Sequence, residues 1–126
     1  MRLILIAAAL ALTSCGERVP ANIRATGEAT ETTRSAKSPH DMVACMTPLY
    51  DAVKWGGTPI LMRITATGFE LIEMGGMYDS YVLTLISVDG AEGGSTAVGY
   101  IASGIPWHGK HRRRLGGIIS QCAQPD

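Results

Sequence analysis

The densest chemistry in the sequence lies near its C-terminal end. There Trp107-His108-Gly109-Lys110-His111-Arg112-Arg113-Arg114 places four cations, two imidazoles and an indole in one short run. Guanidinium forks match the paired oxygens of phosphate and carboxylate groups. Trp107, Lys110, His111, Arg112, Arg113 and Arg114 are therefore the candidate contact for an anion or an anionic partner, against the plainer reading of a solvated turn. Two other chemistries fit the same stretch poorly. Gly104 to Lys110 has the GxxxxGK spacing of a phosphate-binding loop, but His111 stands where a magnesium-holding Ser or Thr belongs, and Pro106 removes a backbone donor. His108 and His111 stand three apart, yet the neighbouring cations oppose a divalent ion and the cysteines supply no third ligand, so no metal is expected. No GxSxG or HExxH motif offers a nucleophile or a metal site, and Asp79 and Ser80 beside Tyr78 and Tyr81 read as a strand entry. No catalytic residue and no cofactor are expected, and the protein reads as non-enzymatic.

A second chemistry stands at the other end. Met1-Arg2 gives a positive start, Leu3 to Leu12 (LILIAAALAL) is unbroken apolar sequence, and small polar Thr13 and Ser14 come next. That order is the order of a secretory signal peptide. Ten residues of helix rise about 15 Å, half the hydrocarbon thickness of a bilayer, so the run is too short to remain as a spanning anchor. Its last residues, Leu12-Thr13-Ser14-Cys15, resemble the lipobox of bacterial lipoproteins, in which an aliphatic residue and two small residues precede the cysteine that becomes the new N-terminus. The resemblance covers residues 1–15 only. It implies that the Cys15 thiol carries diacylglycerol, that cleavage occurs after Ser14, and that the freed amine takes a further acyl chain such as palmitate. Each buried methylene is worth about 0.8 kcal/mol, so several chains hold far more firmly than one. Gly16 rather than Asp after the lipidated cysteine implies, by the same resemblance, the outer membrane of a Gram-negative cell, with the protein facing the periplasm.

With Cys15 committed to lipid, Cys45 and Cys122 remain as an even pair in an exported protein, and a disulfide between them is expected. Closing so long a loop is worth roughly 4 to 4.5 kcal/mol in chain entropy. Redox-active pairs are usually closely spaced, as in CxxC, and these two are not.

Periodicity predicts the elements that would position these groups. Residues 15–37, from the lipidated cysteine to the start of the first helix, hold few branched aliphatics and read as a flexible linker. Ser38-Pro39-His40-Asp41 reads as a helix start, with Ser38 as N-cap and Pro39 at the first helical position. Met42, Val43, Cys45, Met46, Leu49, Val53 and, at its end, Trp55 supply one apolar face. Pro48 should kink that helix, or restart it with Thr47 as a second cap, before Gly56-Gly57 stop it. From Pro59 the period shifts toward two, giving strands near 60–65, 69–74, 80–88 and 96–102 and an antiparallel meander. The third is apolar on both parities and suits a central position, whereas Glu70 and Glu73 place the second near an edge. Leu115, Ile118, Ile119 and Cys122 have helical spacing, and Gly116-Gly117 allow either a continuous helix or a break.

For the chain as a whole, 126 residues and 13.3 kDa suit one small core, and 46% hydrophobic content excludes a disordered chain. Eleven basic residues balance eleven acidic ones, which argues against a nucleic-acid partner. The expectation is therefore a signal peptide over 1–14, a lipidated linker over 15–37 and an α+β domain over 38–126. That domain is an N-terminal helix, a four-stranded antiparallel meander and a short C-terminal helix, stapled by a disulfide. Two functions fit. One is a lipid-anchored envelope protein with a non-enzymatic interaction domain that contacts an envelope protein or anionic polymer. The other is a small-ligand or anion-binding periplasmic module, inhibitor-type proteins included. A concave pocket with converging polar groups would favour the second.

Overall fold

The structure, a computed structural model, describes residues 23–75 and 81–126. The expected signal peptide over 1–14, the expected lipidation site Cys15, and Tyr78, Asp79 and Ser80, read from sequence as a strand entry, lie outside the described residues. In chain order the elements are β1 (Glu28–Ala29), β2 (Thr33–Ser35), α1 (Pro39–Val53), β3 (Leu61–Ile64), β4 (Gly68–Gly75), β5 (Tyr81–Ala91), β6 (Gly94–Ile101) and α2 (His108–Ala123).

Helix α1 starts as its sequence dictates. The Ser38 hydroxyl accepts the Asp41 amide at 3.1 Å, Pro39 sits where no amide hydrogen is needed, and Asp41 lies near the positive end of the helix dipole. Met42, Val43, Met46 and Tyr50 form its buried face. Pro48 lies inside the helix without ending it, and Thr47 caps nothing: its hydroxyl turns back to the Val43 carbonyl at 2.6 Å. The helix stops at Val53, so Trp55 falls outside the buried face.

The fold is α+β around a six-stranded antiparallel sheet. Strands β3 to β6 form the meander that the spacing of turns predicts. The expected count of four is corrected by β1 and β2, which both pair with β6. Residues 28–35 lack an apolar period, which is why they read as linker in the sequence. They are held instead by backbone hydrogen bonds to an otherwise open strand edge, which require no hydrophobic pattern of their own. The fold thus begins before Ser38.

The expected place of the second meander strand is also corrected. β4 lies inside the sheet between β3 and β5, and β3 is the edge, exposed along its whole length. Glu70 and Glu73 are only 2% and 1% exposed. Their spacing of three sends them to opposite faces, and each meets arginine there. Glu70 pairs with Arg24 at 3.0 Å and Arg63 at 3.4 Å, and Glu73 with Arg114 at 2.7 Å. Strand β5 is buried from Val82 to Val88, as its double-sided apolar pattern predicts. Both helices cover one face over Leu71, Ile86, Val88, Ala97 and Ile101, while Ile72, Leu85 and Ile23 form a smaller cluster on the other.

Helix α2 runs unbroken through Gly116-Gly117 and buries His111, Leu115, Ile118, Ile119 and Cys122. Packing outweighs the roughly 2 kcal/mol of helix propensity that two glycines forgo. Gly99 of β6 admits the helix closely, since a Cβ there would lie 3.1 Å from Leu115. The Cys45–Cys122 disulfide joins α1 to α2, with 5.7 Å between Cα atoms of residues that stand 77 positions apart in sequence. Among the described residues no helix is long and apolar enough to cross a membrane.

Candidate functional site

Glu73 is the hub from which the site is built. Directly opposite it on β5 stands Thr84, and the register then shifts between Glu73 and Met74 so that Met74 pairs with Val82. Leu83 is left without a partner on β4, as the extra residue of a bulge that re-aims side chains locally, while its carbonyl accepts the Ala102 amide at 3.0 Å on the other side. The Glu73 carboxylate accepts four donors. Thr84 Oγ1 (2.6 Å) and Arg114 Nη2 (2.7 Å) reach Oε1; the Trp55 amide (2.8 Å) and Arg114 Nη1 (3.1 Å) reach Oε2. That fills the lone-pair sites of a carboxylate. Because the single Thr84 hydroxyl hydrogen goes to Glu73, the Tyr50 hydroxyl bonded to Thr84 Oγ1 must donate. Burial pushes the Tyr50 phenol far above its ordinary range, so it stays a donor.

This network fixes the two sides of a cleft. On one side, Arg114 donates to the Val53 carbonyl at 3.3 Å and lies 5.8 Å from the centre of the Trp55 ring, a cation–π distance. Asp51 accepts from Lys54 at 2.9 Å and from the Ile60 amide at 3.1 Å, bonds that hold its carboxyl below the usual range and pin both ends of the loop bearing Trp55. On the other side, Arg114 Nη2 approaches His111 Nδ1 at 2.7 Å. A guanidinium only donates, so Nδ1 accepts and the neutral ring carries its proton on Nε2. Burial first, and the Arg114 charge second, hold the His111 pKa below its ordinary value. The ring packs against Trp55 with 4.3 Å between centroids and the two planes tilted by 49°.

Between these sides opens a cleft of about 440 Å³, lined among others by Trp55, Trp107, His111, Tyr81, Leu83 and Ile105. The centroids of Trp55 and Trp107 lie 5.5 Å apart with the rings tilted by 55°. Trp107 is the N-cap of α2 and lies in the left-handed region at φ 61, with no side-chain capping bond. Glycine, asparagine or aspartate would suit that backbone better than an indole, so the position holds local strain. Trp55, Tyr81 and Trp107 are 47%, 42% and 60% exposed. They are the only exposed aromatic side chains among the described residues, and all three line this one cleft.

The cationic run that the sequence singles out is divided by the helix it forms. Arg112 and His108 both engage Glu28 of β1, the latter at 2.6 Å through Nδ1, and so clasp the strand to α2. Arg114 turns inward to Glu73, His111 is buried, and Trp107 lines the cleft. Lys110 and Arg113 are exposed and form no ion pair among the described residues. His108 and His111 thus serve different contacts, and no group of His, Cys, Asp and Glu fit to hold a metal occurs among the described residues. Trp55, Glu73, Thr84 and Tyr81 belong to the site although sequence reasoning does not pick them out for it. The one signal is the presence of Glu70 and Glu73 in an otherwise apolar strand. No protein-family model, curated protein or solved structure matches the chain.

Proposed function

We propose that this is a lipid-anchored protein of the cell envelope whose domain binds a small ligand in the Trp55–Trp107 cleft. The anchoring rests on the lipobox resemblance at Cys15, and Cys15→Ser is expected to leave the protein soluble rather than in the membrane fraction. Retention of that variant in membranes would refute the anchor. The binding rests on one observation: every exposed aromatic side chain of the described residues gathers in a single concave site with buried polar groups behind it. Exposing two indoles to water is unfavourable for a free monomer, and such residues are those that carry binding energy.

Binding rather than catalysis is supported by the state of His111. Its Nδ1 is occupied by Arg114 and its Nε2 carries the proton, so the ring is not set to take a proton from a ligand. The anionic-partner reading retains Lys110 and Arg113 as its exposed cations. A mixture of neutral small molecules tests the cleft directly, since both tryptophans of the chain are in it and their emission reports on nothing else. Saturable emission changes are expected whose midpoint moves to higher concentration in Trp107→Gly, read there from Trp55; an unchanged midpoint would place binding elsewhere.

A further inference from the structure

We propose that the end of the domain bearing Trp55, Tyr81 and Trp107 docks on the phospholipid surface that holds the chain. The inference rests on the proposed anchor at Cys15 and goes beyond the binding of a small ligand. At this end β4 finishes at Gly75, β5 begins opposite it at Tyr81, α1 stops at Val53 and α2 starts at His108. The three aromatic side chains are exposed there, and Pro106 is exposed beside Trp107. Indole and phenol rings favour the boundary between water and lipid, where the apolar body meets acyl carbon and the polar edge meets headgroups. The strained backbone of Trp107 fits this use, because it holds an exposed indole at a helix cap where stability alone favours another residue.

The point where the chain enters the fold selects the bilayer as the occupant. Ile23, the first described residue, lines a groove with Tyr81 and Ile105, and both of these also line the tryptophan cleft. Cys15 precedes Ile23 by eight positions, a reach of at most about 29 Å when fully extended. A domain of about 100 residues has a radius of gyration near 13 Å, so it is roughly 34 Å across and the path round to its far side is roughly 50 Å. The tether is too short to turn the far side to the bilayer, and the aromatic end is within its reach. Charge agrees with this orientation. Lys110 stands three positions after Trp107, and Arg113 turns back along α2, its Nη1 3.6 Å from where a Cβ of Gly109 would stand. Neither cation has a partner among the described residues, so both can meet headgroup phosphates while their stems lie along the surface.

The test uses the full lipidated chain reconstituted in vesicles of phosphatidylcholine and phosphatidylglycerol, prepared with and without bromine on the acyl chains just below the headgroups. Flotation of the vesicles reads the anchor. Bromine quenches indole emission only at close range, and both tryptophans of the chain are at this end, so quenching reads docking. Quenching by bromolipid is expected, and it should grow with phosphatidylglycerol content. At the content where the wild type is half docked, Lys110→Gln combined with Arg113→Gln should lower the ratio of docked to undocked protein by about fivefold per cation. The melting temperature of that variant should match the wild type, since neither side chain has a described partner to lose, so a folding defect cannot mimic the change. If the chain floats with the vesicles and its emission ignores bromolipid, the anchor stands and the docking fails; if it does not float, both fail. Quenching that is equal at every phosphatidylglycerol content, or equal in the double variant, would also overturn the proposal, because the cations would then lie away from the lipid.

Discussion

Glu73 shows how much one side chain decides here. It is 1% exposed and takes donors from β5, α2 and the loop after α1, so its removal leaves the Arg114 guanidinium, Thr84 and the Trp55 amide without their acceptor. Glu73→Ala is expected to cost about 3–5 kcal/mol, the size seen when one member of a buried ion pair is lost. Urea unfolding checks this, and Glu73→Ala combined with Arg114→Ala should cost clearly less than the sum of the two, because they share one interaction. His111 yields a pH dependence. Its folded pKa lies below the ordinary 6.5, so the unfolded chain binds the proton more readily. The stability it contributes is full above that value and declines as pH falls toward the lowered one. Denaturant midpoints between pH 7.5 and pH 5 should fall more steeply for the wild type than for His111→Gln; equal slopes would remove His111 as the cause. The residue scale is also where the sequence is least legible. Arg114 and Glu73 are 41 positions apart, and no local pattern tells a buried glutamate with a distant arginine from one that faces water.

At the scale of elements, local chemistry is legible wherever it acts within a few residues. The Ser38 cap and Pro39 fix the start of α1, and the alternation after Pro59 fixes β3 to β6, because these signals depend on neighbours in sequence. β1 and β2 escape notice for the opposite reason: their pairing is supplied by β6, some sixty or more positions away, through backbone groups that every residue carries. In α2 the open choice at Gly116-Gly117 is settled by burial of Leu115, Ile118, Ile119 and Cys122 on either side. A Cβ at Gly116 or Gly117 would meet nothing within 4 Å. Gly116→Ala and Gly117→Ala are each expected to stabilise the protein by about 0.5–1 kcal/mol, through reduced freedom of the unfolded chain. Thermal unfolding checks this, and a loss of stability at either position would mean that the helix there is not the regular one described.

For the whole molecule, the disulfide and the cleft are linked by geometry. Cys45 and Cys122 tie α1 to α2, and the cleft stands between the residues just after α1 and those that begin α2. With Cys15 set aside by the lipobox resemblance, the two cysteines that remain make the pairing legible in sequence, whereas the meeting of Trp55 with Trp107 needs the fold. Replacing both cysteines by alanine is expected to cost about 4.5 kcal/mol from the 77-position separation. The measured loss in denaturant midpoint checks it, and a loss near zero would show that packing alone holds the helices. The central claim, that the two tryptophans share one ligand site, is tested most directly by ¹⁹F NMR of the full chain labelled with 5-fluorotryptophan. The chain has two tryptophans and gives two signals, which are followed against each member of the small-molecule mixture as a separate probe. Both signals should move with a common midpoint for at least one probe. If neither moves with any probe, or if the two move with different midpoints, the shared cleft is contradicted.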